Sequence, residues 1–431
     1  MSPREAPLFP ALESALSELR TGNLRFEVFA RRGTSTLVRR DVAGIWERRE
    51  AREVGVACRV AGVGGSGFAA VSGHAALAGR EAARTARAHM TPGPDPIPPG
   101  ERLGQSLAPD PPAQVPLDVQ EDLARRLAGA LDRDPALVRA AEIRVLQGGG
   151  EAVLINGDGF AGRAATSAAS LEVLVAPVEG PWRLVRLAMG GLGKLEPETL
   201  ADQIRESTLL AVRGGPPPRR LARVLLAPAV AAPLVEALAW FVLRDRDPSA
   251  TGEISPTWRL ADERRGPAGL LAMPFDGEGF PARPLSLLDQ GAVGERAVVW
   301  WQACRGEGAP GGAARPSYRR PPVTAPANLV VHRREALPGD RLLDALGTGV
   351  FLGLPAGPVH LDGGGRRFRM LAAGVTIQGG RPVATHPMLE LRGSFRGLLR
   401  GLLATGTDER SVSLDCAVTT PSLLVQQLEV V

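Results

Sequence analysis

Lysine is almost missing from this chain of 431 residues; Lys194 is the only one, and arginine carries the positive charge. The net charge of +5 and the isoelectric point of about 9.9 therefore reflect arginine's high pKa rather than a concentrated basic face. A GC-rich genome imposes the same enrichment in Arg, Ala, Gly and Pro whatever the function. The pairs Arg31-Arg32, Arg39-Arg40, Arg219-Arg220 and Arg319-Arg320 are scattered. No aromatic residues interleave with them as a single-strand stacking platform requires, so nucleic acid is not an expected partner. Cysteine is scarce as well. Cys58, Cys304 and Cys416 are too few and too far apart for a disulfide framework or a metal knuckle, and reduced thiols are the expectation. Long apolar runs are missing: those around Val224, Leu234 and Val298 fall well short of the ~20 residues of a membrane span. The opening Met1-Ser-Pro-Arg-Glu-Ala-Pro-Leu has no basic segment followed by an apolar one, so a secretory signal is not expected and a cytoplasmic location is.

What is present is turn-rich and globular. Hydrophobic residues make up 44% of the chain, with 52 Gly and 38 Pro, and the mean hydropathy is −0.01. The length suggests roughly two or three domains. Leu12, Leu16 and Leu19 at helical spacing open the chain with an amphipathic helix. Alternating segments at 26–30, 35–42 and 54–60 read as strands. Gly64-Gly65-Ser66-Gly67 lacks the spacing of a phosphate cradle and reads as a hairpin turn, and 75–90 reads as an alanine-rich helix. A Pro/Gly-rich linker at 93–116 separates the N-terminal domain, 1–92, from a central domain, 117–218. The central domain holds a helix at 119–131, a further helix start at Asp134, a meander of short strands between Ile143 and Met189 joined by glycine-rich turns, and a helix at 198–213. Asn156-Gly-Asp-Gly159 is a hairpin signal. The remainder, 219–431, is β-rich, with short helices at 340–346 and 393–403, the latter placing Leu398, Leu399, Leu402 and Leu403 on its apolar side. The fold class is thus α+β: an N-terminal antiparallel sheet with helices, a central α/β unit and a β-rich, barrel-like C-terminal domain.

Within the last domain, Val224-Leu225-Leu226 is a buried-strand pattern, and the segment from Leu221 to Asp245 continues into an apolar helix from Leu234 to Leu243 broken only by Glu236. A carboxylate there is ordinarily exposed or paired. The histidines, His74, His89, His332, His360 and His386, stand apart in sequence, and His360-Leu-Asp362 is the one suggestive neighbour pair.

Several separated pieces share one resemblance: Gly55-Val-Ala-Cys-Arg-Val with Gly67-Phe-Ala-Ala, Asn156-Gly-Asp-Gly, Met273-Pro-Phe-Asp-Gly-Glu-Gly-Phe-Pro-Ala-Arg283, and Leu287-Leu-Asp-Gln-Gly291. Gly311-Gly-Ala-Ala-Arg-Pro316, Pro326-Ala-Asn-Leu329, Gly349-Val-Phe-Leu352, Gly374-Val-Thr-Ile-Gln-Gly-Gly-Arg381 and Pro421-Ser-Leu-Leu-Val425 continue it. In order and spacing the chain resembles the TldD/PmbA family, also labelled modulator of DNA gyrase. In that family's catalytic members the corresponding helix carries His-Glu-x-x-x-His, and a C-terminal cysteine completes a zinc site. Here the resemblance places Val235 and Trp240 at the histidine positions, Glu236 at the catalytic glutamate and Cys416 near the third ligand. Apolar side chains cannot hold a metal, so no metal or cofactor is expected in this chain. The resemblance implies a non-catalytic, TldE/PmbA-like subunit paired in a heterodimer with a TldD-like chain that carries the zinc. Its substrates would be unfolded peptides or the leader segments of modified peptides. The alternatives are a gyrase-associated or nucleic-acid-binding regulator, and a hydrolase with an unrecognised site.

Overall fold

The computed structural model describes residues 10–73, 75–99, 114–134, 138–177, 182–209, 220–244, 252–265, 270, 274–332 and 336–431. His74, the 100–113 stretch of the linker, residues 210–219, Asp245 and Met273 lie outside these.

The N-terminal half is one six-stranded antiparallel sheet in the order β3-β2-β1-β4-β5-β6. Its strands are β1 (Arg25–Arg40), β2 (Trp46–Gly62), β3 (Gly65–Ser72), β4 (Val138–Asn156), β5 (Ala161–Pro177) and β6 (Arg183–Met189). The strands expected in the first and central units are therefore hydrogen-bonded together, with β1 pairing β4 from Glu27↔Asn156 to Arg40↔Ile143. Period-two alternation explains the two faces. Val28, Ala30 and Val38 of β1 point to one face, where helices α1 (Pro10–Leu19), α2 (Ala76–Ala88), α3 (Leu117–Leu131) and α4 (Pro197–Leu209) cover them. Phe29 points to the other, where it joins Leu154, Phe160, Phe275 and Tyr318.

Three local expectations need correction. Gly148-Gly149-Gly150 is not a turn: it runs through the middle of β4, opposite Ser35, Thr34 and Gly33 of β1. A Cβ on Gly149 would lie 2.3 Å from Gln114 Nε2, and one on Gly150 2.5 Å from the carbonyl of Arg32, so close approach explains the glycines better than a bend. The helix start at Asp134 gives way, from Val138, to strand: Val138 and Ala140 are buried and paired with Pro177 and Val175 of β5. The helix expected at 393–403 spans only Phe395–Gly401, capped by Ser394 Oγ accepting from Gly397 N; Leu402 and Leu403 belong to the strand Leu402–Gly406, and Leu403 is exposed. The hairpin signals hold. Gly62 pairs with Gly65 across a two-residue turn, and the Asn156 side chain accepts from the Asp158 and Phe160 amides around Gly159, whose φ is +99°.

The C-terminal half holds a closed five-stranded barrel and a second six-stranded sheet. The barrel runs from β7 (Arg220–Leu226) through Gly349–Pro355, Arg367–Gln378, Arg381–Ser394 and Leu423–Val430, and the last strand pairs back onto β7. Between barrel and sheet lies α5 (Pro228–Arg244), with Val230, Leu234, Val235, Leu238 and Ala239 completely buried. Among the described residues no helix is long and apolar enough to cross a membrane.

At the crossing of α1 and α2, a Cβ on Gly79 would lie 1.8 Å from the carbonyl of Ala11. Gly79→Leu should lower the unfolding free energy in urea titrations by about 1–3 kcal/mol. Gly129→Ala in α3, where a Cβ meets nothing within 4 Å, should raise it by about 0.5–1 kcal/mol.

Candidate functional site

β7 delivers the chain into α5 through Ala227, whose amide donates to the Leu352 carbonyl, and Pro228 occupies the first helical position, where its missing N–H costs nothing. Helical spacing puts Glu236, Trp240 and Arg244 on one stripe. That stripe is the helix's accessible edge: Glu236 and Trp240 are partly exposed, and the Arg244 guanidinium lies 4.9 Å from the Trp240 ring centre. Val235 turns away from it into the core. The structure therefore brings Glu236 and Cys416 together, keeps Trp240 one turn along the same edge, and leaves Val235 in the core. Glu236 Oε1 accepts from the Cys416 backbone N–H at 3.0 Å and from its Sγ at 3.5 Å.

Burial pushes the Glu236 carboxyl above the ordinary carboxylate range; the Cys416 hydrogen bonds oppose this and the neighbouring Asp415 charge reinforces it. Burial, and then the Glu236 charge, drive the Cys416 thiol well above its ordinary value. Nucleophilic and metal-binding sulfur is thiolate, and this pair favours the protonated form. Zinc does not fit these residues: Val235 and Trp240 offer no donor, which leaves a glutamate and a high-pKa thiol where about three protein ligands are needed. Among the described residues no group of three or more His, Cys, Asp and Glu is placed to hold a metal. The histidines are engaged separately, His332 with Glu263 at 2.7 Å, His386 with Thr376 at 2.7 Å and His89 with the Thr85 carbonyl. His360 is exposed, and Asp362 accepts the Arg366 and Arg367 amides in its own turn.

Cys416 and Asp415 lie on the wall of a cleft of about 730 Å³ between the two halves of the molecule. Its floor is the sheet face opposite the helices, made of small residues such as Gly33, Ser35, Gly148, Gly150, Thr166 and Ala168. Its roof comes from the C-terminal half, including Asp276, Arg315 and Leu414.

One end of this cleft is closed by a buried charge network. Arg59 of β2 donates to both oxygens of Glu27 on β1, at 3.1 and 2.7 Å, to the Pro96 carbonyl at 3.1 Å and to Glu278 of the C-terminal half at 3.3 Å. Arg315 donates to Glu27 and, through Nε, to the Gly277 carbonyl at 2.5 Å. Asp276 organises the turn: Oδ1 accepts from the Glu278 and Phe280 amides, and Oδ2 from Ala313 N. The motif around Pro274–Arg283 reads from sequence as a turn. Its second role, carrying Glu278 into contact with Arg59, was not read from the sequence, and the only signal for it was a glutamate held between two glycines, Gly277 and Gly279.

With both thiols pushed up, Cys58 to about 12 by burial, iodoacetamide at pH 7.5 should modify the exposed Cys304 while Cys58 and Cys416 resist, as read by peptide mass spectrometry.

Residues 222–431 match the PmbA/TldA metallopeptidase C-terminal domain. Three solved structures share the fold over nearly the whole length, each at 16% identity. A candidate modulator of DNA gyrase from Thermotoga maritima has a TM-score of 0.83, with 98% of this chain and 99% of that one covered. TldE from Thermococcus kodakarensis has a TM-score of 0.84, covering 97% and 99%. A candidate modulator of DNA gyrase from Bacteroides thetaiotaomicron has 0.73, covering 97% of each. No curated protein matches the sequence. Residues 222–431 thus belong to the PmbA/TldA metallopeptidase C-terminal domain family, and the chain as a whole shares the fold of these TldD/PmbA-type structures.

Proposed function

We propose that this chain is the non-catalytic, TldE/PmbA-like subunit of a cytoplasmic heteromeric zinc metallopeptidase, with the metal and the hydrolysis residing in a TldD-like partner. The observation that carries this reading is α5. The position of the first family histidine is Val235, sealed in the apolar core, and that of the second is Trp240, covered by Arg244. Glu236, which would otherwise deprotonate a metal-bound water, is engaged instead with Cys416. The chain's contribution is then to enclose and shape. Its cleft could hold a short extended stretch of an unfolded or leader peptide. The floor strands already use their backbone groups in the sheet, so recognition by strand addition is not available there; contacts come from the floor's side chains and the loops of the roof.

A nucleic-acid-binding role draws no support from the pairs Arg31-Arg32 and Arg39-Arg40, because these four are paired with Glu53, Glu151, Glu142 and Asp132. A hydrolase built on the thiolate of Cys58 or Cys416 is disfavoured by their raised pKa values.

Co-expression with a TldD-like chain tests the proposal. The two should co-purify and cleave an unfolded peptide, this chain alone should be inert, and Val235→His with Trp240→His should leave it inert. Metal-dependent hydrolysis by this chain on its own would overturn the reading.

A further inference from the structure

Away from the cleft, a second cavity of about 180 Å³ lies where the N-terminal sheet, α4 and the barrel meet. Its position follows from the topology. β6 is the last strand of its sheet and Arg410–Ser413 the last strand of the second six-stranded sheet, and both contribute to the lining. The barrel wall at the cavity is irregular. The ladder between Gly349–Pro355 and Arg367–Gln378 slips between Leu352 and Leu354, and the next ladder slips between Ala372 and Gly374. Gly353, Leu354, Ala373 and Gly374, at these two slips, all line the cavity. A bulged strand bends and re-aims its side chains, so this wall and the two sheet edges do not interlock as flat surfaces do, and a space remains between them.

Most of the lining is apolar, with Leu187, Ile204, Phe351, Leu354, Val375 and Val412. An apolar cavity of ~150 Å³ accepts a benzene-sized guest, so this one takes a body of roughly six or seven carbon atoms. The polar groups are few and of both signs. Arg410 donates through Nη2 to Gln203 Oε1 at 2.9 Å, a neutral partner, and makes no ion pair among the described residues. Asp408, two positions earlier, accepts the Ser422 amide at 2.9 Å on one oxygen and Ser422 Oγ at 2.6 Å on the other. That fixes the carboxylate while leaving lone pairs on both oxygens. Arg186, also in the lining, is already engaged by Glu172 at 2.9 Å. A simple anion would meet Asp408 as well as Arg410, and a simple cation would meet the same conflict in reverse. A ligand with a carboxylate and an ammonium on one carbon meets each group with its opposite.

We propose that this cavity binds a free α-amino acid with an apolar side chain, its carboxylate on Arg410, its ammonium on Asp408 and its side chain among the apolar residues. The inference does not depend on the proposed function, because the cavity shares no lining residue with the cleft.

Calorimetric titration and saturation-transfer NMR on the full chain, with L-leucine and L-phenylalanine as probes, test it. Both should bind saturably at millimolar concentration or below. Leucinol, which lacks the carboxylate, and isocaproate, which lacks the ammonium, should bind about tenfold or more weakly than leucine. Glycine, which carries both charges without an apolar body, should not compete. Arg410 and Asp408 are exposed, so their replacement leaves the core intact. Arg410→Gln should erase the preference for leucine over leucinol, and Asp408→Asn the preference over isocaproate, each leaving the other preference in place. Should Asp408→Asn fail to fold through its contact with Ser422, Arg410→Gln decides alone. Failure of both amino acids to bind saturably, or binding of leucine and leucinol that Arg410→Gln leaves unchanged, would overturn the proposal.

Discussion

The contact between Arg59 and its two carboxylates, Glu27 and Glu278, is the constraint on which the arrangement of the molecule depends. Charges removed from water cost several kcal/mol each unless the partners are in place. A network shared between β1, β2 and the turn at 274–283 is therefore favourable only in one relative placement of the two halves. Apolar packing supports that placement from beside it. A Cβ on Gly55 would lie 2.1 Å from the Tyr318 ring, so the glycine is what lets the ring lie against β2. Phe160 and Phe275 meet edge to face at 5.5 Å across the same junction, a geometry that aromatic rings favour. The cleft, and with it any role in holding a peptide, follows from this docking: the sheet supplies a flat floor of small residues and the C-terminal half a roof at a fixed height.

The helix at the heart of the C-terminal half has a second constraint. α5 is buried on most of its surface between barrel and sheet, and the edge bearing Glu236, Trp240 and Arg244 is its accessible side. A metal site on such a helix needs donors directed to one point. Here Val235 is directed into the core and Trp240 lies under the Arg244 guanidinium, and neither side chain offers a donor. Glu236 keeps a structural use, since it satisfies the backbone amide of Cys416, which would otherwise be left unpaired near the cleft wall, a situation that costs about 1–3 kcal/mol.

Much of this was legible in the sequence, and the gaps have physical causes. The hairpins at Gly62–Gly65 and Asn156–Phe160 were readable because turn chemistry is local. The helix from Leu234 was readable from its apolar run, and the pairing of Glu236 with Cys416 was approached only through family resemblance, because the two lie 180 residues apart in sequence. Gly148–Gly150 misled because glycine signals both a bend and a close approach, and only tertiary structure distinguishes them. Leu402 and Leu403 misled because an apolar run suits either a helix or a barrel strand. The charge network was the largest omission: Glu27, Arg59, Glu278 and Arg315 are unremarkable one at a time, and only the fold gathers them.

Taken together, these features describe a chain that has the fold of the TldD/PmbA-type structures, with Val235 buried in the core and Trp240 stacked under Arg244, as the proposed non-catalytic role requires. The most direct measurement is the zinc content of this chain and of a TldD-like chain co-expressed with it, purified apart and then together. The account predicts zinc in the partner and in the complex, with none retained by this chain. Stoichiometric zinc in this chain purified alone would contradict it.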